Sequence, residues 1–515
     1  MPESRTMLKM RLTGHVIAFI GLPVLLGPIA LADTDLPEEP VEIGHESQFF
    51  IDDYIVDNRW PLRKREEVLV RTIHQPVKHP ANPVLPGRGG YVNVVWDEQT
   101  KLYRMLYQDF WYYSREPLKY TYAVAYAQSS DGIEWETPNL GFYTWKETKK
   151  NNICWQAPSD RDGPRTIGAY SQYLLNIPEE HRRGFKYVMY YVTADGVHLV
   201  GSNDCIHWDE SSVTLIGDDF HPDTHASIVW DPDRKIFVWF TRATDRYGDG
   251  ANIIRGATRR VARLENSELW TTWPLETQNI LIPDAEDAGG LSAGHLGGFN
   301  FYYGMPTCHH AGIYWGFLWP YRLDAGLIET QLAISRNGRV FERLPHRPKL
   351  IGLGPEGTWD DGMVFGSPDW IEVGDQWRLY YSGHAGPHHS VERAVGIGLA
   401  TIRKEGFVSL RGPRHGGVVC TRRIRWPNGR LIVNCDADSL AGKPGELRVR
   451  VVDSSRRPLP GFDYEDSVPF SGDSTAHEMK WNDRRIDELK GRVVRLEFLL
   501  TNADLYTFRA APTEE

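Results

Sequence analysis

Short aromatic and β-branched runs, each bounded by polar turns, dominate the chain. Val94-Val95-Trp96-Asp97 precedes a run over 102–107, Ile228-Val229-Trp230-Asp231 precedes one over 236–240, and Asp369-Trp370-Ile371-Glu372 precedes one over 377–381. Residues 185–191 and 313–318 are related runs. Their length, composition and punctuation predict β-strands. Helical periodicity is nearly absent; the stretch 486–490 predicts at most one short turn.

A turn recurs among these strands. Ser129-Ser130-Asp131-Gly132-Ile133-Glu134-Trp135, Ser202-Asn203-Asp204-Cys205-Ile206-His207-Trp208 and Ser335-Arg336-Asn337-Gly338-Arg339-Val340-Phe341 share one plan, and Ser267-Glu268-Leu269-Trp270 is a degenerate copy. Asp or Asn bonds its own following backbone, glycine takes positive φ, and the later aromatic packs the hairpin down. Five units result, at about 85–140, 150–212, 220–275, 295–345 and 355–403, each with room for four strands. The expected fold is all-β: a five-bladed β-propeller over 45–404. A β-sandwich accessory domain over 415–515 follows, where the repeat stops and alternating strands continue past Pro458, Pro460 and Gly461. One or two large β-sandwiches are the competing architecture.

The first residues have the form of an export signal, residues 1–32. Lys9 and Arg11 precede an apolar run over 16–26, and Ala30-Leu31-Ala32 is a small-residue cleavage site. Pro23 and Pro28, with the shortness of the run, speak against a membrane anchor. An exported protein, periplasmic or extracellular, with no membrane span is expected. Net charge is −10 without a basic stripe, which argues against nucleic acid as a partner. Five scattered cysteines make neither a disulfide framework nor a zinc motif. Cys420 and Cys435 are the pair that could bridge; buried free thiols are the expectation for most. The 18 Trp and 24 Tyr suit both β cores and stacking on sugar rings.

Five-bladed propellers with such turns and a trailing sandwich resemble glycoside hydrolase families 32, 43, 68, 117 and 130. The phrases Phe49-Phe50-Ile51-Asp52-Asp53-Tyr54-Ile55-Val56, Asn151-Asn152-Ile153, Asp223-Thr224-His225 and Trp359-Asp360-Asp361-Gly362 are similar to secreted bacterial proteins with a family-32-like N-terminal domain. The Asn-Asp-Pro-Asn signature of true family 32 enzymes is absent, which speaks against fructan or sucrose cleavage. The resemblance implies a carbohydrate substrate and carboxylates drawn from different blades.

Residues just ahead of the innermost strands would line one axial funnel. Asp223 and His225 precede Trp230 by seven and five residues, and Asp360 and Asp361 precede Trp370 by ten and nine. Glycoside cleavage needs one protonated carboxyl and one ionised carboxylate, their separation deciding retention or inversion. By resemblance Asp223 and Asp361 are the expected catalytic pair, with Glu286 as a third. His225, Arg242, Arg259, Asp360, Asp53 and His384 are expected to contact substrate, the arginines through a planar fork suited to hydroxyls, carboxylate or sulfate. Turn capping by the aspartates and surface solvation of the arginines are the structural alternatives. The pair His309-His310 and the group His384, His388 and His389 lack any zinc spacing, so no cofactor is expected beyond a structural calcium. The expected function is glycosidic bond cleavage in a poly- or oligosaccharide. A non-catalytic glycan-binding propeller, a sialidase-like enzyme and a polysaccharide lyase are the alternatives. Oligomeric state is not legible.

Overall fold

The computed structural model describes residues 39–512, except 63–67, 162, 165, 223–224, 243–258, 285, 288–299, 323, 391–392 and 439–441. The export signal lies outside the described residues, as does Asp223. The protein is all-β; among the described residues helix is confined to short 3-10 turns such as Pro158–Asp160, Glu179–His181 and Ile486–Leu489. Among the described residues no helix is long and apolar enough to cross a membrane.

Five sheets follow one another along the chain, antiparallel except for one parallel pairing, Leu327–Ile328 with Met363–Val373, through which Asn300–Tyr302 and Pro320–Arg322 extend the fifth. The first orders Asn93–Asp97, Leu102–Arg115, Leu118–Ser129 and Ile153–Trp155. The second orders Tyr170–Leu174, Tyr187–Thr193, Gly196–Ser202 and Trp208–Asp218, and the third Ser227–Asp231, Ile236–Arg242, Val261–Asn266 and Gln278–Leu281. The fourth orders Thr307–His310, Ile313–Leu318 and Thr330–Ser335, with Glu342–Arg343 and Lys349–Ile351 both on the last. The fifth has Met363–Val373, Gln376–His384 and Val395–Arg403. Its outer edge is supplied from far upstream, by Val77–Lys78 and Leu85–Pro86. Asn82 ties that edge down, its side chain bonding both the N–H and the carbonyl of Leu399 at 2.8 Å.

The recurring turn occupies one place in four sheets, the link from third to fourth strand. In the first, Asp131 Oδ1 accepts the N–H groups of Ile133 and Glu134, and Gly132 has φ +75°. Asp204 repeats this with Ile206 and His207, and Asn337 with Arg339 and Val340. Such Asx bonding needs only residues two and three positions apart, so the motif is local. Cys205 stands where the other copies have glycine and adopts φ +59°.

Each turn also reaches the preceding sheet. Gly132 of the first accepts a bond from Tyr380 Oη of the fifth at 2.8 Å, and a Cβ on Gly132 would lie 2.6 Å from that hydroxyl. The carbonyl of Asp204 in the second turn accepts Arg104 of the first sheet. Trp270 of the third turn donates to the carbonyl of His181 in the second unit, and Arg339 of the fourth pairs with Glu265 of the third. Phe407, after the last strand of the fifth sheet, packs on Trp315 of the fourth. Separate apolar clusters fill the spaces between successive sheets: Tyr126 with Trp155 and Met189, Tyr190 with Trp239, Phe240 with Tyr314, Trp315 with Trp377, and Met105 with Tyr380. Burying each such aromatic contributes about 2–3 kcal/mol, enough to hold neighbouring sheets face to face.

Two further sheets contain the C-terminal strands. One orders Val41–Glu42, Ile424–Arg425, Val493–Thr501, Gly417–Thr421 and Val56–Pro61, with Glu446–Val452 also on Val493–Thr501. The other orders Asp473–Glu478, Arg430–Asp436, Asp504–Ala511, Val408–Arg411 and Val70–Ile73, with Gln48–Phe49 on Asp504–Ala511. Segment 41–73 therefore pairs with C-terminal strands, not with the repeat units. One continuous core, including Trp426, Trp481, Phe498 and Phe508, lies between these sheets. Cys420 and Cys435 fall on different sheets of this pair, and all five cysteines are free thiols, so the bridge considered from sequence does not form.

Candidate saccharide-binding cleft

The first strands of several sheets meet at their inner edges. Ser227 Oγ accepts the N–H of Thr307 at 2.7 Å, joining the third and fourth. Asp369 of the fifth accepts Tyr173 Oη of the second at 3.1 Å and Asn93 Nδ2 of the first at 3.4 Å. At one end of these strands a cleft of about 120 Å³ opens. Gly90, Tyr91, Gln108, Phe110, Tyr112 and Tyr122 of the first unit line one side. Tyr303, Met363, Phe365, His384, His388 and Arg393 line the other.

Strand alternation explains the first wall. Gln108, Phe110 and Tyr112 share a face of Leu102–Arg115 and look into the cleft. Asp109, between them, points away to Trp145 Nε1 at 3.1 Å and Lys146 Nζ at 2.9 Å. Tyr91 has φ +32°, a conformation L-residues rarely adopt. Its ring stacks on His225 at 5.0 Å and on Trp319 at 5.8 Å. Backbone strain of this kind persists where surroundings over-determine it, and it clusters at functional sites.

The structure brings several sequence candidates to this cleft. His384 lines it at the end of Gln376–His384; its buried Nδ1 has no hydrogen-bond partner. Burial, reinforced by nearby Arg393 and His388, pushes its pKa down to about 3, so the ring is neutral at ordinary pH. His225 is fully buried behind Tyr91, and desolvation likewise lowers it to about 3. It supports the wall rather than touching the cavity. Arg242 and Arg259 both lie over the ring of Tyr303, at 5.5 and 5.2 Å. Arg259 also lies over Tyr321 at 5.6 Å. Asp361 is two residues from lining Met363, yet its oxygens accept the backbone N–H groups of Gly357 at 2.7 Å and Gly386 at 2.8 Å. Gly362 permits that close approach: a Cβ there would come within 1.6 Å of the carbonyl oxygen of Gly386.

Three candidates are engaged elsewhere. Asp360 is buried and bonds Lys78 Nζ at 2.6 Å and Tyr381 Oη at 3.1 Å, clamping the upstream strand to the fifth sheet. Asp53 is exposed and pairs with Arg71 at 2.6 Å, at the rim of a groove of about 670 Å³ beside the fourth sheet. That groove is larger than the cleft, but Asp52 and Arg336, which line it, neutralise one another through two bonds of 2.8 and 2.9 Å. Glu286 is exposed and pairs with Arg347, beyond the outer strand Glu342–Arg343, while its neighbour Asp287 is buried against Arg343. His309 and His310 sit on one strand, with His309 against Tyr314 and His310 against Trp377. Among the described residues no three His, Cys, Asp or Glu side chains group to hold a metal ion.

Sequence reasoning did not single out Tyr91, Tyr112, Tyr303 or Arg393; Tyr112 lies within Leu102–Arg115, and the other three just outside strand ends. It read Asp369 only as a strand marker. Asp369 retains some exposure as a residue, but its carboxyl is enclosed, and desolvation pushes its pKa up to about 7. It lies six residues along Met363–Val373 from Met363, roughly 20 Å of extended chain, so it is not part of the cleft.

No protein-family model matches the chain, and no curated protein matches it. Solved structures of two glycoside hydrolases and a glycoside phosphorylase align with part of the chain. A thermostable family-43 glycoside hydrolase is 15% identical, with 66% of this chain and 96% of that one covered at a TM-score of 0.37. A glycosyl hydrolase from Bacteroides ovatus is 12% identical, covering 64% and 94% at a TM-score of 0.42. A β-1,2-mannobiose phosphorylase from Listeria innocua is 10% identical, covering 64% and 97% at a TM-score of 0.42.

Proposed function

We propose that the chain is a carbohydrate-active protein in which the five sheets are the blades of a propeller, with the C-terminal pair and segment 41–73 forming an accessory β-sandwich. Contact from each turn to the preceding sheet, including first to fifth, supports a closed ring. The observation that carries the functional reading is the cleft itself. It offers Tyr91, Phe110, Tyr112, Tyr122, Tyr303 and Phe365 beside Gln108, two histidines and Arg393. Flat aromatic faces bind the apolar faces of pyranose rings, and the few polar groups orient hydroxyls.

In this reading the protein is an exported glycoside hydrolase, Asp223 and Asp361 being the acid and base carboxylates that the sequence nominates. Glu286, paired with Arg347 at an outer edge, is left out of that assignment. Non-catalytic glycan binding is the second reading. It is favoured by one feature: among the described residues lining the cleft there is no Asp or Glu.

Incubating purified protein with a panel of oligosaccharides and aryl glycosides, and separately measuring affinity by calorimetry, tests both. Hydrolysis expects turnover that Asp223→Asn and Asp361→Asn abolish while affinity persists. Affinity without any product supports the binding module. Tyr303→Ala weakens binding about tenfold in either case, as loss of a central aromatic contact does. Unchanged affinity in that variant would remove the cleft as the saccharide site.

A further inference from the structure

Among the described residues lining the cleft, the charge is one-sided. Arg393 donates to the carbonyls of Pro387 at 3.4 Å and His388 at 3.2 Å, both in its own loop. Its electrostatic neighbours are the phenols of Tyr112, Tyr303 and Tyr122, with no carboxylate among them. The guanidinium is half-buried, and burial of a cation is costly unless an anion or several acceptors answer it. Three described carboxylates close by in sequence are already engaged: Asp109 by Lys146 and Trp145, Asp361 by two backbone amides, Asp360 by Lys78. Beside Arg393, His384 keeps a buried, unpartnered ring nitrogen on the cavity wall.

The C-terminal sheets treat buried charge differently. Glu497 is held by Arg450 at 2.6 Å, and Asp504 by Arg411 at 2.5 Å. Among the described residues Arg393 meets backbone carbonyls and the Tyr112 phenol but no carboxylate, and such a cation in a concave aromatic wall is a seat for an incoming anion.

We infer that the cleft takes an anionic saccharide, its carboxylate or sulfate group seated on Arg393 beside His384, with the sugar ring against Tyr303. The inference rests on the reading of the cleft as a saccharide site and adds the class of sugar. A planar guanidinium fork matches either anion in two parallel bonds, which ammonium cannot do.

The test uses the full chain and three galacto-oligosaccharides of equal length: neutral, uronate-bearing and sulfate-bearing. Calorimetry is run at low and at physiological ionic strength. The expected result is at least tenfold tighter binding of one charged oligomer than of the neutral one, with affinity falling as salt rises. Which charged oligomer wins tells carboxylate from sulfate. Arg393→Gln removes the preference, a loss of about 10- to 100-fold for the charged oligomer and little for the neutral one. Arg393→Lys recovers only part of it. The salt dependence is read on unaltered protein, so it stands even if the Arg393 variants fold poorly. Equal or tighter binding of the neutral oligomer, lost in Tyr303→Ala, overturns the anion inference and leaves the saccharide site intact. Binding of none of the three overturns both.

Discussion

The five-sheet region and the C-terminal pair of sheets are made of the same kind of strand but bury it differently. The C-terminal pair encloses one continuous apolar core, and Glu405, Glu497 and Asp504 at its margin each have close polar partners. The five-sheet region divides its apolar side chains among several clusters between sheets and leaves their inner ends to aromatic and polar groups. There His384 has a buried unpartnered nitrogen, and Asp369 carries a strongly raised pKa. The C-terminal core thus compensates these three carboxylates, whereas the cleft end of the five sheets leaves a histidine nitrogen without a partner.

The comparison is broken most strongly by attacking the continuous core. Trp481 is fully buried and donates to the carbonyl of Val449 at 2.7 Å. Trp481→Ala is expected to cost about 3–5 kcal/mol in denaturant unfolding, with saccharide affinity of the folded protein unchanged.

Next in size is Asp369. Its folded pKa of about 7 stands above the unfolded carboxyl value, so the native state binds more protons between the two. Stability from this group is therefore intact in acid and is lost as pH rises from about 4 to about 7. Asp369→Asn is expected to stabilise the protein by up to about 4 kcal/mol at pH 8, the gain shrinking toward pH 4. Melting curves of both proteins across that range check it; a pH-independent difference would mean that the carboxyl is not the titrating group.

Lys78→Met leaves Asp360 buried without its cation. A loss of about 2–3 kcal/mol is expected, smaller than for a fully enclosed pair because Lys78 is partly exposed. Circular-dichroism melting reads it, and no change would argue that the upstream strand is held by its backbone bonds alone. The smallest effect belongs to Asp53→Asn. Its exposed pair with Arg71 is expected to contribute under about 1 kcal/mol, with saccharide affinity unaltered. A loss of affinity there would move the site to the larger groove beside the fourth sheet.

Much of this was legible in the residues. The strands over 102–107, 236–240 and 377–381 fall inside Leu102–Arg115, Ile236–Arg242 and Gln376–His384. The four turns occupy equivalent places, and the stretch 486–490 contains only the 3-10 turn Ile486–Leu489. The site was read in part. Arg242 was singled out because it ends a strand, Arg259 because it follows in the next hairpin, and His384 through its cluster with His388 and His389. Arg393 and Tyr303 were missed because nothing local marks a loop residue as facing a cavity. Asp53 and Asp360 were nominated within family phrases and Glu286 at the entry to the fourth unit, and their ion pairs could not be read from those positions.

The amino-acid sequence by itself determined the all-β class, the repeating strand-turn unit and the chemistry of each turn. These depend on side chains and backbone groups a few positions apart. Tertiary structure alone decided which polar groups answer one another, as with Lys78 and Asp360 or Asn93 and Asp369. It likewise decided that segment 41–73 joins the C-terminal sheets. Such contacts join residues hundreds of positions apart, and their energies follow from burial and distance, which no local pattern encodes.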